Sequence, residues 1–220
     1  MALFGVIGAG GFGREVMPLA VRQIETTVGH DATELVFVVE DAFPIASAFV
    51  NGHRVLTLSQ FLTEPASERR YSIAIGDAST RARIAASIPA DAAQPFSVVA
   101  ETHVSLAANV LGDGAILCSF SHITSNTRIG TFFNAHIYSS VAHDCTIGDF
   151  VTFGPGALCN GHVHIEDYAY IGAGAVIRDG TKRAMVIGKG AVIGMGAVVT
   201  KSVAPGVTVV GNPARPLHAT

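Results

Sequence analysis

The stretch Leu111–Lys182 reads LGDGAI LCSFSH ITSNTR IGTFFN AHIYSS VAHDCT IGDFVT FGPGAL CNGHVH IEDYAY IGAGAV IRDGTK, twelve six-residue units in succession. Their first residues are Leu111, Leu117, Ile123, Ile129, Ala135, Val141, Ile147, Phe153, Cys159, Ile165, Ile171 and Ile177, all apolar. Their fifth residues run from Ala115 through Cys145 and Ala157 to Thr181, small or β-branched with the single exception of Phe133. A helix recurs every 3.6 residues and a strand every 2.0, so neither produces a strict six. One large and one small inward residue in each six predicts short strands joined by regular corners, three sides to a coil. That is a left-handed parallel β-helix of hexapeptide repeats.

Such coils stack about 4.8 Å apart, so equivalent positions lie on one another and each level is filled by the same class of side chain. Glycine at the second position, as in Gly112, Gly130, Gly148, Gly154, Gly172, Gly188 and Gly194, suits a corner where a side chain would crowd the backbone. Ile187, Ile193 and Val199 resume the period. Ile177 and Ile187 are ten apart, so four residues in or near DGTKRAM are extra and should loop out of the prism.

Composition narrows the function classes. Nearly half of the 220 residues are hydrophobic, 14% are charged and 24 are glycine, as a stacked β architecture requires. A net charge of −3 without a basic run leaves no electrostatic footprint for nucleic acid. No apolar stretch reaches membrane-spanning length and no signal-peptide pattern opens the chain, so neither a membrane span nor secretion is expected. Cys118, Cys145 and Cys159 all fall within the hexad register and read as small core residues of a cytoplasmic protein.

Residues 1–100 alternate strand and helix signals. ALFGVIG reads as a buried strand, followed by the turn GAGGFG and a helical segment from about Arg14 to Ile24 with Val16, Leu19 and Ala20 on one face. ELVFVVE (Glu34–Glu40) and YSIAIG (Tyr71–Gly76) read as strands, with a helix in STRARIAASI. This alternation predicts a small Rossmann-like α/β domain with a mostly parallel sheet, residues 1–100, ahead of a β-helix domain over 101–220. Gly8, Gly10 and Gly13 spell G-x-G-x-x-G between first strand and first helix, a turn that lets backbone N–H groups approach a phosphate. Glu40 and Asp41 follow Gly13 by 27 and 28 residues, later than the roughly 20 of a dinucleotide fold, so the motif points to a nucleotide phosphate and only weakly to NAD. The same glycines also serve as a plain strand–helix turn, and Arg14 is either a phosphate ligand or a solvated arginine.

GAGGFGREV opening an α/β domain, SSVAHDCTIGDF in the repeats and the close GAVVTKSVAPGVTVVGNPARPL together resemble one family over nearly the whole chain. It comprises the hexapeptide-repeat bacterial acyltransferases that acetylate amino sugars carried on UDP, GDP or dTDP, with the related sialic acid O-acetyltransferases. The resemblance implies a homotrimer with acetyl-CoA between adjacent β-helices and the nucleotide-linked amino sugar held by the N-terminal domain. It points to an acetyl-CoA-dependent N-acetyltransferase of a 4-amino-deoxy sugar in bacterial surface glycan synthesis.

His143 stands third in its hexad and so faces outward; imidazole titrates in the range suited to deprotonating an amine. By resemblance Asp144 is its acidic helper, although neighbours on a strand face opposite ways, and the region of Gly161 supplies an oxyanion N–H. Substrate contacts implied by the resemblance are Gly8, Gly10, Gly11, Phe12, Gly13, Arg14, Glu40, Asp41, Asp77 and Arg81. Asp77 could equally cap the helix that follows it. Contacts to acetyl-CoA fall to Thr152, where relatives often carry a second histidine, and to Gly161, Lys182, Arg183, Gly194, Gly196, Asn212 and Pro213. Many relatives carry His and Lys where this chain has Phe12 and Arg14. His162 and His164 alternate on one segment and raise a metal site, but the histidine spacing differs from that of β-helical carbonic anhydrases, and no metal is expected. Two rival readings stand: an O-acetyltransferase of sialic acid or another glycan, needing the same base, and a non-catalytic β-helical sugar-nucleotide-binding protein.

Overall fold

The computed structural model describes residues 1–27 and 33–217, and the chain divides into two compact units, Met1–Glu101 and Thr102–Thr220. The first unit runs β1 (Ala2–Ile7), α1 (Gly11–Thr27), β2 (Thr33–Val39), β3 (Phe49–Val50), β4 (His53–Thr57), α2 (Leu58–Thr63), β5 (Glu68–Ile73), α3 (Ala78–Ser87) and β6 (Gln94–Pro95). Its sheet has the order β3-β4-β2-β1-β5-β6, parallel throughout except for the β3–β4 pair. Val36, Phe37 and Val38 are all fully buried, as a central parallel strand covered on both faces requires. From β1 the chain crosses first to one side, through β2, and later to the other, through β5. The strand ends beside β1 therefore form the crevice where open α/β sheets receive ligands.

Three sequence boundaries shift here. Helix α1 begins at Gly11 rather than near Arg14, because the Arg14 N–H already closes a turn on the Gly10 carbonyl at 3.0 Å. Val16 and Ala20 are buried as expected, but Met17 and Ile24 complete that face while Leu19 is half-buried. The strand expected over Tyr71–Gly76 lies at Glu68–Ile73. Its charged start pairs with β1 from Ala2 onward, and beyond Ile73 the Ala74 N–H makes one more bond to the Ile7 carbonyl at 2.8 Å before the chain bends away at Gly76.

The second unit is a β-solenoid of three sheets built from strands of two or three residues, parallel except for the closing pair of Thr208–Val210 with Arg215–Pro216. Partners are eighteen residues apart, as in Arg128↔Thr146, Asn134↔Thr152 and Ser140↔Leu158, so one coil consumes three hexads. First- and fifth-position side chains fill the prism: Ile147, Ala157, Ile165 and Ala169 are all buried. The corners fall at the fourth position, where Phe132, Tyr138, Asp144, Phe150, His162 and Tyr168 take φ between 52° and 62°. That conformation costs an L-residue about 1–2 kcal/mol. Stacking down the corner offsets part of it, with Phe132–Phe150 and Phe150–Tyr168 centroids 5.3 and 5.4 Å apart. Second-position glycines are needed for the close stacking: a β-carbon on Gly148 would lie 2.6 Å from the Asp167 nitrogen one coil on.

The repeat differs from its sequence reading at both ends. Val104–Ser105 already pairs with His122–Ile123, so the coil begins before Leu111, hidden by a serine in the apolar slot. At the far end the twelfth hexad is interrupted. Thr181 is exposed, and Met185, paired with Val163 and 1% exposed, occupies the inward position that six-residue counting assigned to Thr181. The four extra residues thus fall between Ile177 and Met185.

Candidate active site

His143 and Asp144 lie between the strands Ser140–Val141 and Thr146–Ile147, on a corner rather than within a strand. This removes the objection that sequence neighbours face apart. With φ of 56°, Asp144 folds back and its Oδ2 meets His143 Nδ1 at 2.8 Å. Both side chains are about half exposed. A carboxylate on Nδ1 fixes the tautomer and leaves Nε2 as the outward, proton-accepting nitrogen.

One coil on, Gly161 packs against that outward edge. A β-carbon there would stand 2.6 Å from His143 Cε1 and 2.8 Å from Nε2, so the imidazole depends on glycine at this place. His162, directly above Asp144 in the corner column, brings Nε2 to 3.8 Å from the same Oδ2, its ring edge-on to His143 at 5.1 Å. Sequence reasoning paired His162 with His164. The corner instead turns His162 toward His143, while His164 points outward from the strand Val163–Ile165. Ligand-type atoms of His143, Asp144 and His162 lie within 4.8 Å of one another. Three solvent-exposed groups are one short of a closed tetrahedral zinc set, and His143 Nδ1 and Asp144 Oδ2 are already engaged with each other. Below the corner Cys145 and Cys159 are buried in the prism. Cys159 is pushed up by its hydrogen bond with Cys145 and by burial, so it is no exposed nucleophile.

In the α/β unit a cleft of about 280 Å³ opens at the strand ends, lined by Ile7, Gly8, Gly10, Glu40, Phe43 and Ile75 among others. Gly8 has φ of +111°, and a β-carbon on Gly13 would fall 1.7 Å from the Gly8 carbonyl, so these two glycines let strand and helix close up. Gly10 has open space where a side chain would stand, next to the N-terminus of α1 at Gly11, and is the place for a phosphate to approach. Phe12 is half-buried, and Arg14 is exposed with its Nε on the Gly10 carbonyl at 3.3 Å. Neither lines the cleft.

Several expected substrate contacts are engaged elsewhere. Asp41 accepts the Ser59 N–H and hydroxyl at 3.2 and 2.8 Å, binding the start of α2; hydrogen bonds from Thr57 and Ser59 hold its carboxyl below the usual range. Asp77 caps α3 through the Thr80 N–H at 2.7 Å. Arg81 is fully buried, and its Nη1 donates to the Ile75 and Gly76 carbonyls at 2.8 and 2.9 Å. Burial lowers that guanidinium to about 10, partly offset by Asp77. Arg81 thus braces the strand-end turn from inside. Glu40 lines the cleft, paired with Arg83 at 3.1 Å.

A second cleft of about 430 Å³ lies near the last coil, lined by Val199, Lys201, Val203, Val207, Val209, Arg215 and neighbours. It is apolar with two cations, and the periodicity gave no sign of it.

Comparison with known proteins follows this geometry. No protein-family model matches the chain. It is 49% identical over 216 residues to the GDP-perosamine N-acetyltransferase of Escherichia coli O157:H7, spanning 98% of this chain and 96% of the relative. Among solved structures, WeeI from Acinetobacter baumannii AYE is 48% identical, with a TM-score of 0.92 over 99% of this chain and 100% of the other. The chain belongs to the hexapeptide-repeat sugar N-acetyltransferases. A further structure, the acetyltransferase domain of PglB from Neisseria gonorrhoeae FA1090 in complex with acetyl coenzyme A, is 28% identical with a TM-score of 0.84, covering 98% of both chains.

The enzyme is therefore an acetyltransferase using acetyl-CoA, and its predicted acetyl-CoA contacts can be placed. Thr152 is 1% exposed, so it is enclosed by its own chain and offers no free hydroxyl face to a thioester. Lys182 and Arg183 are exposed on the interrupting loop, which Arg178 pins by donating to the Thr200 and Arg183 carbonyls at 2.9 and 3.1 Å. Gly194 is required by Val210, whose Cγ1 would be 2.7 Å from a β-carbon. Gly196 has φ of +66° and open space above it. Asn212 and Pro213 are exposed beside the second cleft without lining it.

Proposed function

We propose that this acetyltransferase acylates the 4-amino group of a GDP-linked deoxy sugar of the perosamine type, with His143 as general base. The observation that carries the reading is the Nδ1–Oδ2 hydrogen bond of 2.8 Å, which presents Nε2 on the solvent side of a corner. The amine arrives mostly as ammonium. His143 Nε2 takes one proton and returns it to solvent; the nitrogen lone pair attacks the thioester carbonyl. The second proton, shed as the C–N bond forms, goes to the sulfur as the C–S bond breaks. Gly161, against the imidazole edge, remains the candidate for the oxyanion N–H.

The two units divide the work in this reading. The α/β unit is Rossmann-like and holds the nucleotide at Gly8, Gly10 and Glu40, as its switch-point cleft supports. Six-residue periodicity with single αL corners, together with family membership, supports left-handed winding of the solenoid. Residues of the cleft near the last coil and the Lys182–Arg183 loop would receive the nucleotide end of acetyl-CoA. The reaction belongs in the cytoplasm, where acetyl-CoA is made; no helix among the described residues is long and apolar enough to cross a membrane. A homotrimer is supported by an apolar strip of Phe120, Ile137, Tyr138 and Leu158, 41–60% exposed, along the edge of the face whose other edge carries His143.

The test is a panel of UDP-, GDP- and dTDP-linked amino sugars with acetyl-CoA, read by thiol release. Turnover of the GDP-linked 4-amino sugar well above the others is expected. Acetylation of a free or hydroxyl sugar in its place would establish the O-acetyltransferase reading instead.

A further inference from the structure

Asp179 stands third in the hexad that opens at Ile177, one coil on from Gly161 and two from His143, immediately before the residues that interrupt the repeat. Its Oδ1 accepts the Thr181 N–H at 2.7 Å, which directs the other oxygen back across the corner. A β-carbon on Gly161 would lie 3.0 Å from Asp179 Oδ2 and 2.8 Å from His143 Nε2. An imidazole nitrogen and a carboxylate oxygen therefore both pack against the same face of Gly161 and stand close to one another. Asp144 cannot play the part of that second carboxylate, because it is bound to Nδ1 on the far side of the ring. The loop is held in place: the Gly180 N–H donates to the Gly161 carbonyl at 2.8 Å, and a β-carbon on Gly180 would strike the His162 carbonyl at 1.9 Å. Thr181 chiefly, with His162 and His143 adding, keeps the Asp179 carboxyl below its ordinary range, so it is anionic wherever the enzyme works.

A carboxylate and a neutral imidazole side by side at the surface match an alkylammonium ion. One N–H is bound by the anion while another is offered to the base. We propose that Asp179 receives the ammonium group of the sugar substrate and orients it toward His143, and that Gly161 is glycine so that the two groups can close on its backbone side by side. The inference rests on the amino-sugar reading above and adds a residue that selects amine over hydroxyl.

The experiment compares binding of GDP-perosamine with that of the same sugar nucleotide carrying a hydroxyl in place of the amine. Wild type should favour the amine by about tenfold or more, the scale of a charge-assisted hydrogen bond. In Asp179→Asn, which retains the acceptor for Thr181, that preference should fall to within about twofold of unity while the hydroxyl compound binds as before. Gly161→Ala, whose methyl would press on both the imidazole and the carboxylate and part them, should lose the preference too, with GDP binding unchanged. His143→Ala should lose turnover but keep the preference. An undiminished preference in Asp179→Asn overturns the proposal. Full turnover in His143→Ala would instead overturn the general-base reading, leaving the binding ratio to judge Asp179.

Discussion

His143 is useful as a base only because two neighbours treat its nitrogens differently. Asp144 occupies Nδ1 at 2.8 Å, and Nε2 lies against Gly161, which has no side chain to displace it. Removing the ring should therefore remove proton transfer while sparing the binding surfaces. His143→Ala is expected to lower kcat by roughly 10²-fold or more, the size of a general-base contribution, with acetyl-CoA affinity unchanged. Thiol release and calorimetric titration measure the two. The outward position of His143 was legible in the hexad count, since inward places are the first and fifth. Its partnership with Asp144 was not, because strand alternation says nothing of a fourth-position corner at positive φ. Resemblance places Thr152 at a thioester contact, and the structure shows its side chain buried at 1% exposure.

At the scale of elements, the interrupting loop and the strand-end turns carry what periodicity could not. Helix α3 starts where β5 leaves the sheet, and two residues expected at a sugar instead hold that junction: Asp77 from the cap and Arg81 from within. Side-chain type alone does not distinguish a carboxylate that caps from one that binds. Only the neighbouring N–H groups decide, and those depend on the tertiary turn. The Asp77 carboxyl is lowered by its hydrogen bonds from Thr80. A lowered folded-state value means the stabilisation is present above the unfolded value of 3.8 and is lost as pH falls through the folded one. Asp77→Ala should cost about 1 kcal/mol at pH 7. In urea titrations the gap between wild type and variant should close as pH falls below 3.8. A gap that persists at low pH would mean that the cap acts through something other than its charge.

At the scale of the molecule, the repeat that shaped the interior also organises the outside. Successive corners rise in columns, and one column places Phe120 and Tyr138 in a stack with centroids 5.3 Å apart. Together with Ile137 and Leu158 they expose apolar area along one edge of the face formed by Ser140–Val141 and its neighbours, while His143 and Asp144 mark the opposite edge. A second copy seated on this strip would shed water from it and raise a wall beside the outward histidine, which otherwise meets solvent. Three copies of a three-sided prism can close such contacts by rotation without leaving a free end. Phe120→Glu combined with Tyr138→Glu places uncompensated charges in that contact, a cost of several kcal/mol per buried ion. Because both residues face outward at corners, the fold of each chain should survive. Light scattering is expected to give a trimer for wild type and a monomer for the double variant, with N-acetylation reduced at least as far as by His143→Ala and circular dichroism unchanged. A double variant that remains trimeric would mean that the subunits meet through another face and that the strip has a different use.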